Sequence, residues 1–203
     1  DVDSLIERSL ELGVRTHSPV IQALAYKVKG IMLHLRNNIT ESIDALMASL
    51  AFFNQISERR RGAYLNDRAD TLWLIGRICD TRHELDLARI YLQQAIEIQT
   101  LTKDTCGLAK SYKCLGNTYQ HGGLYQDARQ NLEYALNLFQ QIGFRVYIAH
   151  CLNDIGEIYR LGYLQPDTAE AFYRNSMDMY REINVIEVTP VINLVLLLLS
   201  KQR

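Results

Sequence analysis

Residues 112–135 read YKCLGNTYQHGGLYQDARQNLEYA, and their spacing predicts two helices joined by a glycine turn. Tyr112, Leu115 and Tyr119 are three and four positions apart, so they share one face of a helix. The turn contains two adjacent glycines. A second set of residues, four and three positions apart, follows it at Ala128, Leu132 and Ala135. Each helix therefore has one apolar face, and the short turn lets the two faces bury each other as an antiparallel pair.

The same pattern occurs four times along the chain, with a glycine at the same place in each first helix. These glycines are Gly30, Gly76, Gly116 and Gly156. Each second helix has a small residue at Ser42, Ala88, Ala128 or Ala169, and another seven positions later at Ser49, Ala95, Ala135 or Ser176. A large residue lies between the two small ones, at Leu46, Leu92, Leu132 or Tyr173. Four copies in register predict a repeat array.

The glycines need a physical cause, because glycine inside a helix costs about 1 kcal/mol relative to alanine. We expect the cause to be close approach of the paired helix, with alanine or serine opposite the missing side chain. The alternative is that each glycine marks a helix end. Apolar periodicity runs through all four glycines, which favours the first interpretation.

The pattern large-x2-Leu-Gly-x2-Tyr, followed by Ala-x3-large-x2-Ala, resembles the tetratricopeptide repeat, here with a 40-residue period. The resemblance implies an all-α fold, a right-handed superhelical α-solenoid of antiparallel helix pairs whose opening helices line a concave groove. It predicts a single array over residues 1–203, with full repeats at 19–57, 63–101, 105–142 and 144–183. Residues 2–13 are expected to be the second helix of a preceding repeat. Residues 188–200 are expected to be the first helix of a following or capping repeat.

The apolar surfaces at the two ends of the array are expected to be shielded from water by another element or by a partner. The stretch at 188–200 is apolar on several faces, whereas terminal repeats in water need a polar outer side. We therefore expect the array to continue beyond the sequence, or a partner to cover its ends. Self-association through the apolar C-terminal helix is one form of such cover.

The resemblance also implies which side chains face the groove and could bind a peptide or protein partner. These candidates are Lys27, His34, Asp70, Trp73, Arg77, Lys110, Lys113, Asn117, His150, Asn153, Glu157 and Arg160. Lys113 and Asn117 match one pair of the family's carboxylate clamp, in which such side chains hold a peptide's terminal carboxylate. The match is partial, because Asp154 stands where the clamp has asparagine. Trp73 is the strongest single candidate, although it could instead pack against a neighbouring repeat.

Composition argues against several classes of function. The chain is 48% hydrophobic and 22% charged, with a net charge of −1, so neither nucleic acid nor membrane is an expected partner. The four cysteines, at 79, 106, 114 and 151, show no metal-binding or redox spacing, and the five histidines have no paired-ligand spacing. We therefore predict no catalytic residues, no metal, no cofactor and no enzymatic activity. A cytoplasmic protein with reduced thiols is the expectation.

Function has to be argued from the surface. The first hypothesis is a non-catalytic protein or peptide interaction module that binds its partner in the groove. Short strings such as CLNDIGEIYR resemble the repeat arms of bacterial multidomain signalling proteins, which would make the chain an arm of a larger regulatory protein. The alternative is a regulator that senses a small ligand or peptide pheromone through a change in superhelix curvature. RNA binding is disfavoured by the charge balance.

Overall fold

A computed structural model describes residues 1–201, and every regular element within them is a helix. The first half contains α1 (Val2–Arg15), α2 (Pro19–Leu35), α3 (Ile39–Gln55), the one-turn α4 (Glu58–Arg61), a 3-10 turn (Gly62–Tyr64), α5 (Leu65–Thr81) and α6 (Leu85–Thr102). The second half contains α7 (Thr105–His121), α8 (Tyr125–Gln141), α9 (Arg145–Leu161), α10 (Pro166–Glu182) and α11 (Thr189–Ser200). The predicted all-α class is confirmed.

The helices pack as sequential antiparallel pairs: α2 with α3, α5 with α6, α7 with α8, and α9 with α10. The chain divides into two compact units, Asp1–Asp104 and the residues from Thr105 onward. In the first unit α1 packs against α2, and α3 packs against α5. In the second unit α8 packs against α9, and α11 packs against α10. None of the helices in the described part of the chain is both long and apolar enough to cross a membrane.

The turn inside each pair has the same backbone geometry. A residue in the left-handed region ends the first helix, at Asn37, His83, Gly123 or Leu164, with φ between 52° and 73°. The next backbone N–H donates to a carbonyl in the last turn of that helix at 2.9 Å, as from Leu124 N to Tyr119 O. This bond satisfies a carbonyl that the helix end leaves without a partner. In the fourth pair the left-handed residue comes one position later, because the GYLQP turn contains one extra residue.

The four repeat glycines lie where a side chain would collide with the paired helix. A Cβ at Gly116 would lie 2.7 Å from Cγ of Leu132 and 3.1 Å from the Ala128 carbonyl oxygen. Gly30 and Gly76 face the equivalent leucine and carbonyl in their own pairs. The expected cause therefore needs a correction. The large residue of the second helix fills the space above the glycine, and the small residue lets its backbone carbonyl approach.

Serine replaces alanine at three of the small positions and adds a hydrogen bond between paired helices. Ser42 Oγ donates to the Gly30 carbonyl at 2.7 Å. Ser49 and Ser176 donate to carbonyls of their partner helices at 2.8 Å. All three serines are fully buried. These bonds offset the cost of burying a hydroxyl group, so serine fits where alanine otherwise stands.

Helix α11 lies over the end of the fourth pair. Its Leu197 is buried against Ala169 and Tyr173 of α10. A stretch of coil from 185 to 188 precedes it, and the Glu187 carboxylate accepts hydrogen bonds from the backbone and the hydroxyl of Thr189. Most other apolar residues of α11 remain exposed to solvent. The helix therefore covers α10 with one face and presents an uncovered apolar face outward.

Candidate partner-binding surfaces

In the first unit, Lys27 on α2 is already bound to carboxylates of α5. Its Nζ lies 2.9 Å from Asp67 Oδ1 and 3.1 Å from Asp70 Oδ2. The Lys27 side chain is only 14% exposed, whereas that of Asp70 is 54% exposed. The charge that a partner could reach on this surface is therefore the negative charge of Asp70. Asp67, three positions before Asp70, is not among the residues that the sequence analysis selected.

Trp73 lies partly on the surface and partly in the core of the first unit. Its ring packs against the buried clusters around Leu72 and Leu74, and the Arg77 guanidinium carbon lies 4.9 Å from the ring centroid. Nearby, burial lowers the pKa of His34, and the positive charge of Arg77 lowers it further. Because the Trp73 ring packs against the core, its substitution by alanine would lower stability and would not isolate an effect on partner binding.

In the second unit, Lys113 on α7 and Asp154 on α9 form an ion pair across the two helices. Their charged atoms are 2.7 Å apart, and the side chains are 17% and 19% exposed. Burial disfavours the charge on Lys113, but the adjacent Asp154 carboxylate outweighs burial and raises the pKa of Lys113. A ligand carboxylate would have to compete with Asp154 for this lysine. The structure therefore gives no support to a simple carboxylate clamp.

Asn117 lies one turn after Lys113 on α7, so the two side chains are neighbours on the helix surface. The side-chain oxygen of Asn117 is buried and has no hydrogen-bond partner among the described residues. An unpaired buried acceptor costs about 1–3 kcal/mol. Asn117 thus has an unused acceptor beside the charged pair.

His150 on α9 lies in an aromatic setting. Its Nδ1 is 2.9 Å from the Tyr180 hydroxyl, and its ring lies edge-on to Tyr147 and Tyr180. Burial lowers the pKa of His150, and the positive charge of Lys113 lowers it further. On the same side, the Lys110 ammonium lies 5.8 Å from the centroid of the Tyr147 ring. Burial and charge thus favour the neutral form of His150.

The remaining candidates on α9 are engaged within the protein. Asn153 is only 7% exposed, and its Oδ1 accepts a hydrogen bond of 3.0 Å from Asn193 on α11. Glu157 bonds to Arg160 at 2.7 Å and accepts a hydrogen bond from the Tyr173 hydroxyl. The position of Asn153 in the repeat predicts that its side chain faces the groove, but α11 covers this side chain. Only the tertiary structure reveals this cover.

The structure offers little for metal or thiol chemistry. Among residues 1–201, no cluster of three or more histidine, cysteine or acidic side chains could hold a metal ion. Burial raises the pKa of Cys79 to about 11 and that of Cys151 to about 12. Both thiols are therefore protonated near neutral pH and poor nucleophiles.

Comparisons with known proteins agree with the helix pairs. Residues 107–182 match the sequence model of the tetratricopeptide repeat. A search of curated protein sequences found no match. Among solved structures, a Rap protein complexed with competence and sporulation factor aligns with a TM-score of 0.77 at 14% identity, covering 91% of this chain and 50% of that one. The chain thus spans about half the length of that Rap protein.

Two further structures align with similar helix pairs. BtubC from P. vanneervenii aligns with a TM-score of 0.77 at 14% identity, covering 97% of this chain and 80% of its own. MamA aligns with a TM-score of 0.65 at 17% identity, covering 91% of both chains. At these identities the likeness concerns the fold. Residues 107–182 therefore carry tetratricopeptide repeats, and the chain as a whole has the helix-pair fold of the tetratricopeptide repeat family.

Proposed function

We propose that this chain is a non-catalytic interaction module that binds an extended segment of a partner protein along α7. The observation that carries the proposal is the unpaired, buried side-chain oxygen of Asn117. The Asn117 residue as a whole is only half-buried, so a rotation of its amide group would bring the oxygen to the surface, where a backbone N–H of an extended segment would supply the missing donor. The Asn117 amide group could donate in return to a backbone carbonyl, because asparagine carries both functions.

The surroundings of Asn117 suit a peptide backbone better than a terminal carboxylate. The charge of Lys113 is neutralised by Asp154. The surface beside Asn117 therefore offers both hydrogen-bond donors and hydrogen-bond acceptors and carries little net charge. Lys110 lies on the same face of α7, two turns before Asn117, and contacts an aromatic ring. A segment of the partner with an acidic side chain two or three residues from the Asn117 contact would use this lysine.

The wider role that we propose is that of a repeat arm in a larger cytoplasmic signalling or regulatory protein. All four cysteines are free, which is consistent with a reducing compartment. A second possibility is a regulator that changes conformation when it binds a ligand. It is favoured by the structural likeness to a Rap protein that was solved complexed with competence and sporulation factor.

The test begins with a random peptide display library selected against the immobilised 203-residue chain. The affinity of an enriched peptide is then measured by fluorescence anisotropy for the wild type, Asn117→Ala and the control Asn137→Ala. Asn137 is exposed on α8. We expect Asn117→Ala to weaken binding at least tenfold without lowering the melting temperature, because it removes an unpaired buried acceptor.

Two results would contradict the proposal: a selection that enriches no peptide, or equal affinity of the Asn117→Ala variant and the wild type. The enriched peptide also separates the two roles. In a ligand-sensing regulator, binding should change the radius of gyration measured by small-angle X-ray scattering. In a scaffold it should leave that radius unchanged.

A further inference from the structure

Helices α7 and α9 bring two lysines close to His150. The Lys110 ammonium lies 5.8 Å from the centroid of the Tyr147 ring, and the centroids of the Tyr147 and His150 rings are 5.9 Å apart. Lys113, three positions after Lys110 on α7, is paired with Asp154. In the described part of the chain, Lys110 has no ion-pair partner. Its positive charge is therefore the one that a ligand could use.

Two carboxylates act on the same histidine. Asp154 lies four positions after His150 on α9, so the two side chains are neighbours on the helix surface. Glu187, in the coil before α11, is the second carboxylate whose negative charge acts on His150. Hydrogen bonds from Thr189 lower the pKa of Glu187, so this carboxylate is ionised at neutral pH. The two carboxylates therefore balance the two lysines as long as the His150 ring is neutral.

The His150 ring is neutral near pH 7 in the free protein. Burial lowers its pKa and Lys113 lowers it further, against the opposite effect of the two carboxylates. The Tyr180 hydroxyl lies 2.9 Å from Nδ1, and burial raises the pKa of this hydroxyl, so it stays protonated. Because a hydroxyl can donate or accept, the bond persists when the ring gains a proton. The other ring nitrogen, Nε2, has no hydrogen-bond partner among the described residues.

A ligand carboxylate beside Lys110 would disturb this balance of charges. It would leave one negative charge in excess while the His150 ring is neutral. In a half-buried site such an excess costs more free energy than it does in water. A proton taken up by His150 would restore the balance and would provide a charge-assisted hydrogen bond to the ligand carboxylate. Binding of a carboxylate and protonation of His150 should therefore favour each other.

We propose that the partner segment carries an aspartate or glutamate whose carboxylate binds between Lys110 and His150, and that His150 takes up a proton when the segment binds. This inference rests on the proposed binding of an extended segment along α7, and it names the chemistry of that segment. A group that is protonated in the complex and neutral in the free protein makes affinity rise as the pH falls, by up to about tenfold per pH unit for one proton. The rise ends below the pKa of His150 in the free protein, where the ring is already protonated.

The experiment selects two peptide display libraries against the immobilised 203-residue chain at about pH 6 and about pH 8. The libraries are identical except that one has a glutamate fixed at its central position and the other has a glutamine. A free glutamate is ionised at both values, so the peptide itself adds no pH dependence. We expect the affinity of an enriched glutamate peptide, measured by fluorescence anisotropy, to rise at least about fivefold from pH 8 to pH 6. Its glutamine counterpart should bind equally at both.

His150→Gln removes the titrating ring and keeps a side chain that can hydrogen-bond. This variant should bind the glutamate peptide with the same affinity at both pH values. His17→Asn is the control, because it removes an exposed histidine of the first unit and asparagine tolerates the left-handed backbone there. The control should keep the pH dependence of the wild type. Calorimetric titration in two buffers of different ionisation enthalpy should show proton uptake by the wild type and none by His150→Gln.

The possible outcomes separate this inference from the proposed function. An affinity that is independent of pH, or that changes equally in the wild type and His150→Gln, overturns the inference. Binding along α7 would still stand in that case if Asn117→Ala weakened it. A selection that enriches no peptide from either library overturns both proposals.

Circular dichroism is recorded for every variant to show that the helices are intact. Should His150→Gln fail to fold, Lys110→Gln replaces it. We expect this variant to bind the glutamate and glutamine peptides with equal affinity, because the unpaired positive charge is gone. A preserved preference for the glutamate peptide would overturn the inference.

Discussion

The contact between Gly116 and Leu132 is the smallest unit on which the fold depends. Leu132 is fully buried in a cluster with Ala128, Ile155 and Ile158, so any movement of its side chain would displace other buried residues. The Ala128 carbonyl oxygen closes the other side of the glycine. Both neighbours are therefore fixed, one by packing and the other by the backbone of α8.

We predict that Gly116→Ala destabilises the protein, although alanine is the better helix former. Alanine gains about 1 kcal/mol of helix propensity. Overpacking of a fixed site costs about 1–3 kcal/mol. The free energy of unfolding, measured by urea denaturation, should therefore fall by about 1 kcal/mol, which is the middle of the overpacking cost less the propensity gain.

Gly62→Ala is the matched control. A Cβ at Gly62 would meet no atom within 4 Å, and the backbone there is right-handed, with φ of −54°. The substitution should therefore stabilise the protein by about 0.4–1 kcal/mol, through the unfolded chain. If both substitutions change stability in the same direction, the glycine contact does not have the role described.

At the scale of the element, α11 decides how the fourth pair is buried. Leu197 covers Tyr173, which is fully buried, and Asn193 donates to Asn153. In repeat proteins each element is stabilised chiefly by its neighbours, so the effect of losing α11 should be local.

We predict that a chain ending at Ile183 exchanges its α10 amide hydrogens at least tenfold faster than the full chain. Burial of one leucine side chain is worth about 1.5–3 kcal/mol, and about 1.4 kcal/mol is a factor of ten in an opening equilibrium. Exchange would be measured by mass spectrometry. Leu199→Ser in the full chain is the control, because Leu199 is 55% exposed and its loss should leave α10 protected.

Unchanged protection of α10 in the shortened chain would show that α11 adds nothing to the fourth pair. Faster exchange that extends equally to α2 and α3 would also contradict a local role, since those helices belong to the other unit.

At the scale of the whole molecule, the two units provide separate cores in one chain. The single tryptophan, Trp73, lies in the first unit, whereas far-ultraviolet circular dichroism reports helices of both. Cooperativity in repeat arrays is limited by the interfaces between neighbours. The two signals can therefore distinguish joint unfolding from stepwise unfolding.

We predict that Gly116→Ala shifts the urea midpoint seen by circular dichroism and leaves the midpoint of Trp73 fluorescence unchanged. Gly116 belongs to the second unit, so its overpacking should weaken that unit alone. Gly76→Ala, the equivalent change in the first unit, should shift the fluorescence midpoint. Equal shifts of both signals in either variant would mean that the chain unfolds as one cooperative body.

The sequence by itself determined the helix pairs, their order and the positions that pack them. Glycine, small and large residues recur at fixed spacing, and a helix of fixed geometry turns that spacing into a contact surface. The extra residue in the fourth turn could also be predicted from the sequence, because it places the small residues of the second helix one position further from the repeat glycine than in the other pairs. All of this information is local, so a period in the residues is sufficient to predict it.

Only the tertiary structure decided the state of the candidate surface residues. The pairing of Lys113 with Asp154, the burial of Asn153 beneath α11 and the double role of Trp73 each depend on a neighbouring helix. Residues at the same repeat position differ in exposure and in bonding partners, because the adjacent helices present different side chains to them. A helical period specifies which face a residue occupies, whereas its partners and its exposure are set by contacts between distant parts of the chain.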